Sequence, residues 1–185
     1  MLLWFFNVKK VSFSINFNNK LVGKDGKSCF EKNQQLEHLD MGLSFNEPIG
    51  KNVLPPMLKN LIISSKYEQE LQLMSLPGLL EQLTLNCVND KEMNDEVLPG
   101  GLKKLTLGND HTQKINRLPV SLETLSIHNP NYDHVFYLAN MFNLKKLFVV
   151  KNYKHLDKIV KKDGLEIIIE EYDIYPDARK RFLGF

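Results

Sequence analysis

Hydrophobic and polar positions in this chain repeat over long distances rather than within one local window. Residues 54–63 read Leu-Pro-Pro-Met-Leu-Lys-Asn-Leu-Ile-Ile, and residues 76–85 read Leu-Pro-Gly-Leu-Leu-Glu-Gln-Leu-Thr-Leu. The same frame runs from Leu98 through Leu102 to Leu105-Thr106-Leu107, and from Leu118 through Leu122 to Leu125-Ser126-Ile127. Its closing apolar residues are Ile63, Leu85, Leu107 and Ile127; weaker copies close at Phe13, Met41, Val149 and Ile169. Successive closings lie 22 or 20 residues apart, except for 28 between Phe13 and Met41, where about six residues are inserted over the common period. A second phase keeps step with the first. Eight residues beyond the closings stand Leu21, Ile49, Leu71, Met93, Ile115 and Val135. Self-similarity at such a period is the mark of a coil of stacked rungs.

Each closing triplet alternates apolar, middle, apolar, which is the period of a short strand that buries one face. One such strand cannot hide its apolar side alone, but stacked copies can pair in parallel and form continuous ladders inside. The pattern therefore predicts about eight short parallel strands, rising roughly 35 Å at about 4.8 Å per strand. Proline after the leading leucine removes a backbone donor and fixes φ, so the returning side is expected to be mostly irregular or 3-10. One helix is expected there, where Tyr153, Leu156, Ile159 and Val160 have helical spacing.

Between the two phases, Phe45-Asn46-Glu47-Pro48-Ile49 follows Met41, and Phe17-Asn18 follows Phe13 in the same phase. Together with L-P-x-x-L-x-x-L-x-L at about 22 residues, this resembles the FNIP repeat family over roughly residues 8–170. The family is a leucine-rich-repeat relative common in social amoebae and in giant viruses that infect amoebae. The resemblance implies a leucine-rich-repeat-like solenoid of the α/β horseshoe class. Other rungs carry Tyr67-Glu68, Asn89-Asp90, His111-Thr112 and Asn131-Tyr132 instead of Phe-Asn, and are expected to be looser at that corner. Family members often carry an F-box upstream, which links them to a ubiquitin ligase. Here the first rung begins at residue 8, so a ligase contact is expected to come from a separate subunit.

The expected organisation is one repeat domain over 1–185, with an N-terminal cap at 1–7, rungs over 8–170 with an insertion near 22–33, and a C-terminal cap at 171–185. The apolar start Leu2-Leu3-Trp4-Phe5-Phe6 either covers the first rung or marks a subunit contact, giving a monomer or an end-to-end dimer. The run has no basic residue before it and no small-residue cleavage site after it, and it is far short of the roughly 20 residues of a membrane span. Arg179-Lys180-Arg181, between aromatics, reads as part of a solvated terminal cap.

Composition narrows the function. Apolar residues make up 43% of the 185, enough for a core. A net charge of +2 with scattered cations argues against a nucleic-acid face, which clusters its cations. Cys29 and Cys87 are too few for a disulfide framework or zinc site and fit a reducing, cytoplasmic location (the host cytoplasm if the chain is viral).

Candidate chemistry is sparse. Gly26-Lys27-Ser28 resembles the end of a phosphate-binding loop, but position 21 is Leu rather than Gly and no helix is expected to follow. Gly23, Asp25 and Gly26 read instead as turn formers. The five histidines, at 38, 111, 128, 134 and 155, show no ligand spacing and are expected on the surface. Cys87 with His111 one rung on is the only nucleophile–base pairing suggested, and an idle thiol fits better.

The expected working surface is the concave sheet. One outward row is Ser12, Asp40, Ile62, Thr84, Thr106, Ser126, Phe148 and Ile168; its neighbour is Lys10, His38, Asn60, Gln82, Lys104, Thr124, Lys146 and Glu166. Residues 40, 60, 62, 82, 84, 104, 106, 124, 126, 146, 148 and 168 are the candidate partner-binding positions, with Phe148 and Ile168 as the anchor. The expectation is a non-enzymatic module that binds a protein, with no cofactor, nucleic acid or membrane. The rivals are a nucleotide-using enzyme built on Gly23–Ser28 and a degenerate repeat paralogue with no partner.

Overall fold

The computed structural model describes residues 7–88, 92–134, 141–159 and 162–171. Among these residues eight strands appear: β1 (Lys10–Ser12), β2 (His38–Asp40), β3 (Asn60–Ile63), β4 (Gln82–Leu85), β5 (Lys104–Leu107), β6 (Thr124–Ile127), β7 (Lys146–Val150) and β8 (Glu166–Glu170). They form one sheet whose spatial order follows the chain, from β1 to β8, and every neighbouring pair is parallel. Each turn of the coil thus adds one strand beside the last.

The register is the one the repeat predicts. Val11, Leu39, Leu61, Leu83, Leu105, Leu125, Leu147 and Ile167 stand in one row. All but Ile167 are buried, and the row is one continuous ladder of branched side chains. The closing residues form a second ladder through Met41, Ile63, Leu85, Leu107, Ile127 and Val149, all buried. At the last described strand Ile169 is exposed. The second phase packs the opposite wall: Leu21, Ile49, Leu71, Met93 and Ile115 are all buried, while Val135 lies outside the described residues. Met93 and Ile115 even form an isolated parallel bridge there.

The returning side is irregular, as expected, with one difference. The helix expected over 153–160 is reduced to a 3-10 turn at Leu156–Lys158. Its apolar residues do not share a face, since Tyr153 and Ile159 are buried and Leu156 is exposed. His155 makes no side-chain cap, and Ile159 already has an extended backbone.

Rings stack at the corners after β1, β2 and β3. Phe13 stacks on Phe17 with centroids 3.8 Å apart, Phe17 on Phe45 at 6.0 Å, and Phe45 on Tyr67 at 6.0 Å. Further along, His111 packs on Tyr132 at 5.5 Å, and the Tyr153 hydroxyl donates to the Tyr132 carbonyl oxygen at 2.8 Å. Rungs without Phe-Asn nevertheless keep a buried ring at this corner in Tyr67, His111 and Tyr132. A flat ring is what the corner requires, and several residue types supply one. The Asn89-Asp90 corner lies outside the described residues.

Asparagines lock the same corner along the stack. The Asn18 side-chain oxygen accepts the N–H of Asn46 at 2.8 Å, and Asn46 accepts the N–H of Glu68 at 2.8 Å. Each bond answers a loop donor that no strand pairs. One glycine is also obligatory. Gly42 has φ +73, and a Cβ there would run into the Ser14 carbonyl oxygen of the preceding rung.

Candidate functional site

The surface expected to be concave is the outward face of the sheet. Both rows expected from sequence stand in register, for example Thr84 beside Thr106 and Gln82 beside Lys104. Asp40, Asn60, Ile62, Thr84, Thr106, Thr124, Phe148 and Ile168 are half-buried; Gln82, Lys104 and Lys146 are exposed. Ser126 shares the row by register but is buried, a small side chain set between Thr106 and Phe148. The middle rungs thus present small hydroxyls and amides, with the larger apolar groups Phe148 and Ile168 toward the β7–β8 end.

Side chains along this face already contact one another across rungs. The Asn60 amide donates to Gln82 at 3.3 Å, and Lys146 pairs loosely with Glu166 at 3.8 Å. His128 stands 3.5 Å from Glu170 beside Phe148's strand. Over β1–β3 the sheet holds a shallow depression of about 140 Å³, lined by Lys10, Val11, Ser12, His38, Leu39, Asp40, Asn60 and Ile62. Burial raises the Asp40 carboxyl above its usual range, and its oxygen accepts the Gly42 N–H at 2.9 Å. This depression is at the opposite end of the face from Phe148 and Ile168.

The other chemical candidates are placed elsewhere. The Gly23–Ser28 segment closes on itself. Gly23 N–H donates to the Lys27 carbonyl oxygen at 2.9 Å, Gly26 N–H to that of Gly23 at 3.0 Å, and Lys27 N–H to Asp25 at 3.1 Å. The Lys27 ammonium pairs with Glu31 at 3.0 Å, and the Ser28 hydroxyl donates to the Val53 carbonyl oxygen at 2.6 Å. Phosphate cradles point their donors at the ligand; here these donors are turned inward.

His111 corrects the expectation of surface histidines, being fully buried in the ring column. Burial lowers its pKa to about 4 and raises that of Cys87 to about 12. A thiol held so far from ionisation is a poor nucleophile. His38 is exposed, and His128, His134 and His155 are half-buried. Among the described residues no three His, Cys, Asp or Glu side chains gather as metal ligands, and no helix is long and apolar enough to cross a membrane. The tail Arg179-Lys180-Arg181 and the apolar start at 1–6 lie outside the described residues.

A second feature was not anticipated from sequence. On the flank where the chain enters β1 to β7, one position before the strand carries Lys9, Glu37, Lys59, Glu81, Lys103, Glu123 and Lys145 in turn, and before β8 it carries Leu165. The sign alternates at every rung from β1 to β7. Glu37 pairs with Lys9 at 3.0 Å and with Lys59 at 2.9 Å, Glu81 with Lys103 at 3.0 Å, and Glu123 with Lys145 at 2.9 Å. Hydrogen bonds from Lys59 and then Lys9 hold the Glu37 carboxyl down at about 2. The signal is an alternation of charge at the repeat period, which the apolar frame by itself does not reveal.

Two or three residues before this column, in the same entering turn, lies an apolar ridge. Phe142 is 87% exposed, Val120 63%, Leu79 54% and Met57 44%. Ser121 and Asn143 donate instead to carbonyl oxygens of the preceding rung, Leu102 at 2.7 Å and Val120 at 2.8 Å.

Comparison with known proteins agrees with this architecture. The family model described as FNIP Repeat matches residues 45–87 and 89–130. No curated protein sequence matches the chain. The fold is similar to that in the crystal structure of CroV588, described as a novel circular LRR protein structure, with a TM-score of 0.61 and 24% identity. That similarity covers 88% of this chain and 24% of the other, so this chain spans about a quarter of that protein's length. The chain is thus a solenoid similar in fold to a leucine-rich-repeat protein, and its segments 45–87 and 89–130 match the FNIP repeat model.

Proposed function

We propose that this chain is a non-enzymatic interaction module that binds a protein partner along the concave sheet. The observation that supports the reading best is the row Ile62, Thr84, Thr106, Phe148 and Ile168, held half-exposed on eight parallel strands. Solenoids use such rigid extended surfaces for recognition, since little ordering entropy is lost on binding. Small hydroxyls at Thr84, Thr106 and Thr124 let a partner backbone approach closely. Phe148 and Ile168 offer an apolar anchor at one end, and the depression over β1–β3 offers a polar one at the other. A cytoplasmic location, and service as the recognition part of a ubiquitin-ligase assembly, are finer forms of this reading. The second needs a separate subunit to supply the ligase contact.

The experiment is affinity capture from cell lysate with the native chain and with Thr84→Arg/Thr106→Arg, which fills the face without touching the core. A protein retained by the native chain and lost with the variant supports the reading. Retention by both places recognition off the concave sheet. Thermal melting with and without Mg-ATP tests the nucleotide rival. The inward-turned donors of Gly23–Ser28 predict an unchanged midpoint, and a clear upward shift would favour the rival.

A further inference from the structure

The alternating column on the strand-entry flank does more than tie rungs together. Seven positions, Lys-Glu-Lys-Glu-Lys-Glu-Lys, make a strip about 29 Å long at about 4.8 Å per strand. Such a strip is self-complementary. When it is turned about a two-fold axis between β4 and β5, each charge from Glu37 to Lys145 meets its opposite on the second copy. Glu81 faces Lys103 of the other copy, Lys59 faces Glu123 and Glu37 faces Lys145, each contact occurring twice.

The middle of the apolar ridge obeys the same operation, while Phe142, from the turn entering β7, falls opposite the polar Gln34–Gln35 of the turn entering β2. Met57, from the turn entering β3, meets Val120, from the turn entering β6. Leu79, from the turn entering β4, meets the Gly100–Gly101 turn that enters β5, where a Cβ added at Gly100 would meet nothing within 4 Å. A projecting side chain thus lies opposite a gap. Met57, Leu79 and Val120 are all exposed and outside the core.

We propose that this flank is a two-fold interface with a second copy of the same chain, specified by the alternating charges and anchored by the apolar ridge. Both concave sheets remain free in the pair, so the proposal goes beyond the partner-binding reading and does not depend on it. Ion pairs at an exposed strip supply register more than affinity, and a strip one side chain wide is at the small end of specific interfaces. The dimer is accordingly weak and salt-sensitive.

Sedimentation equilibrium of the full chain, from micromolar to near-millimolar concentration at low and high salt, tests this directly. The expected result is a monomer–dimer equilibrium that shifts about tenfold or more toward monomer in high salt. Glu81→Lys alone places two ammonium groups against each other where the copies meet and should sediment as monomer. Lys103→Glu alone places two carboxylates against each other at the same contact and should do the same. Mixing the two variants restores opposite charges at both contacts and should restore the dimer. Leu79→Asp, at an exposed site, is a further variant expected to remove it, with circular dichroism confirming that each variant is folded. A native chain that stays monomeric at the highest concentration overturns the proposal. So does a mixture that fails to recover the dimer, or growth into open polymers rather than a closed pair.

Discussion

The side-chain oxygen of Asn46 accepts the backbone N–H of Glu68, twenty-two residues later, at 2.8 Å. The same oxygen also accepts from the Gln69 amide at 3.2 Å. One residue thus clamps the corner of its own rung to the next.

Removing that acceptor leaves a loop donor without its protein partner. Asn46→Ala should cost about 1–2 kcal/mol. For a chain of this size that lowers the melting midpoint by about 3–6 °C. Asn46→Asp keeps an acceptor oxygen in the same place and should lose less, so comparing the two melting curves isolates the hydrogen bond.

The leucine ladder should be far less forgiving. Leu83 is 1% exposed, between Leu61 and Leu105. Leu83→Ala removes buried methyl groups and leaves a cavity shared by three rungs, at a cost of about 3 kcal/mol. A midpoint lower by about 6–12 °C is expected. Exposed Leu79→Ala, four residues earlier, should change it by little, which a denaturation series would show.

His111 makes stability depend on mild acid. Its folded pKa is about 4 against a usual value of 6.5, burial being the main cause. The folded state therefore stays neutral while the unfolded chain takes up a proton. Stability is full above pH 6.5 and falls progressively as pH drops toward 4, by about 2 kcal/mol at pH 5. Melting at pH 7 and pH 5 should show a drop that His111→Phe, which retains a ring in the column, largely abolishes. Glu37 acts in a lower window. Its carboxyl, held at about 2, contributes stability above 4.5 that is lost as pH falls toward 2.

The thiols should be silent in the folded state. Burial raises Cys29 to about 11 and Cys87 to about 12. A thiol-specific chromogenic reagent at pH 8 should label Cys87 only at the rate of opening, and both cysteines promptly in denaturant. Fast labelling of Cys87 in the native chain would contradict its placement behind the strand.

The rungs were legible because a buried ladder constrains the same position at every turn. Leu61, Leu83, Leu105 and Leu125 announce their contacts by spacing alone. Features that tolerate substitution were harder to read. Tyr67, His111 and Tyr132 do one packing task with different side chains, and Tyr132 does so one residue out of phase, so the repeat period located their corner but no shared letter announced a ring there. His111 was expected at the surface because imidazole is polar; the stacked column around it decided otherwise. The concave rows followed from strand alternation, but the burial of Ser126 depends on the size of its neighbours, which alternation does not encode. The Lys–Glu column was written in the sequence throughout, at a distance no local window spans.

That column carries a rule for how such a chain can change length. Excising the single turn that holds Glu81 would bring Lys59 against Lys103, and inserting one turn would set like charges side by side in the same way. Adding or losing two turns together leaves opposite charges adjacent everywhere. The matched segments 45–87 and 89–130 are each about two turns long, so duplication in that unit preserves the order of signs. Growth of the coil by even steps is electrostatically neutral, and growth by odd steps introduces a repulsive contact at the point of insertion.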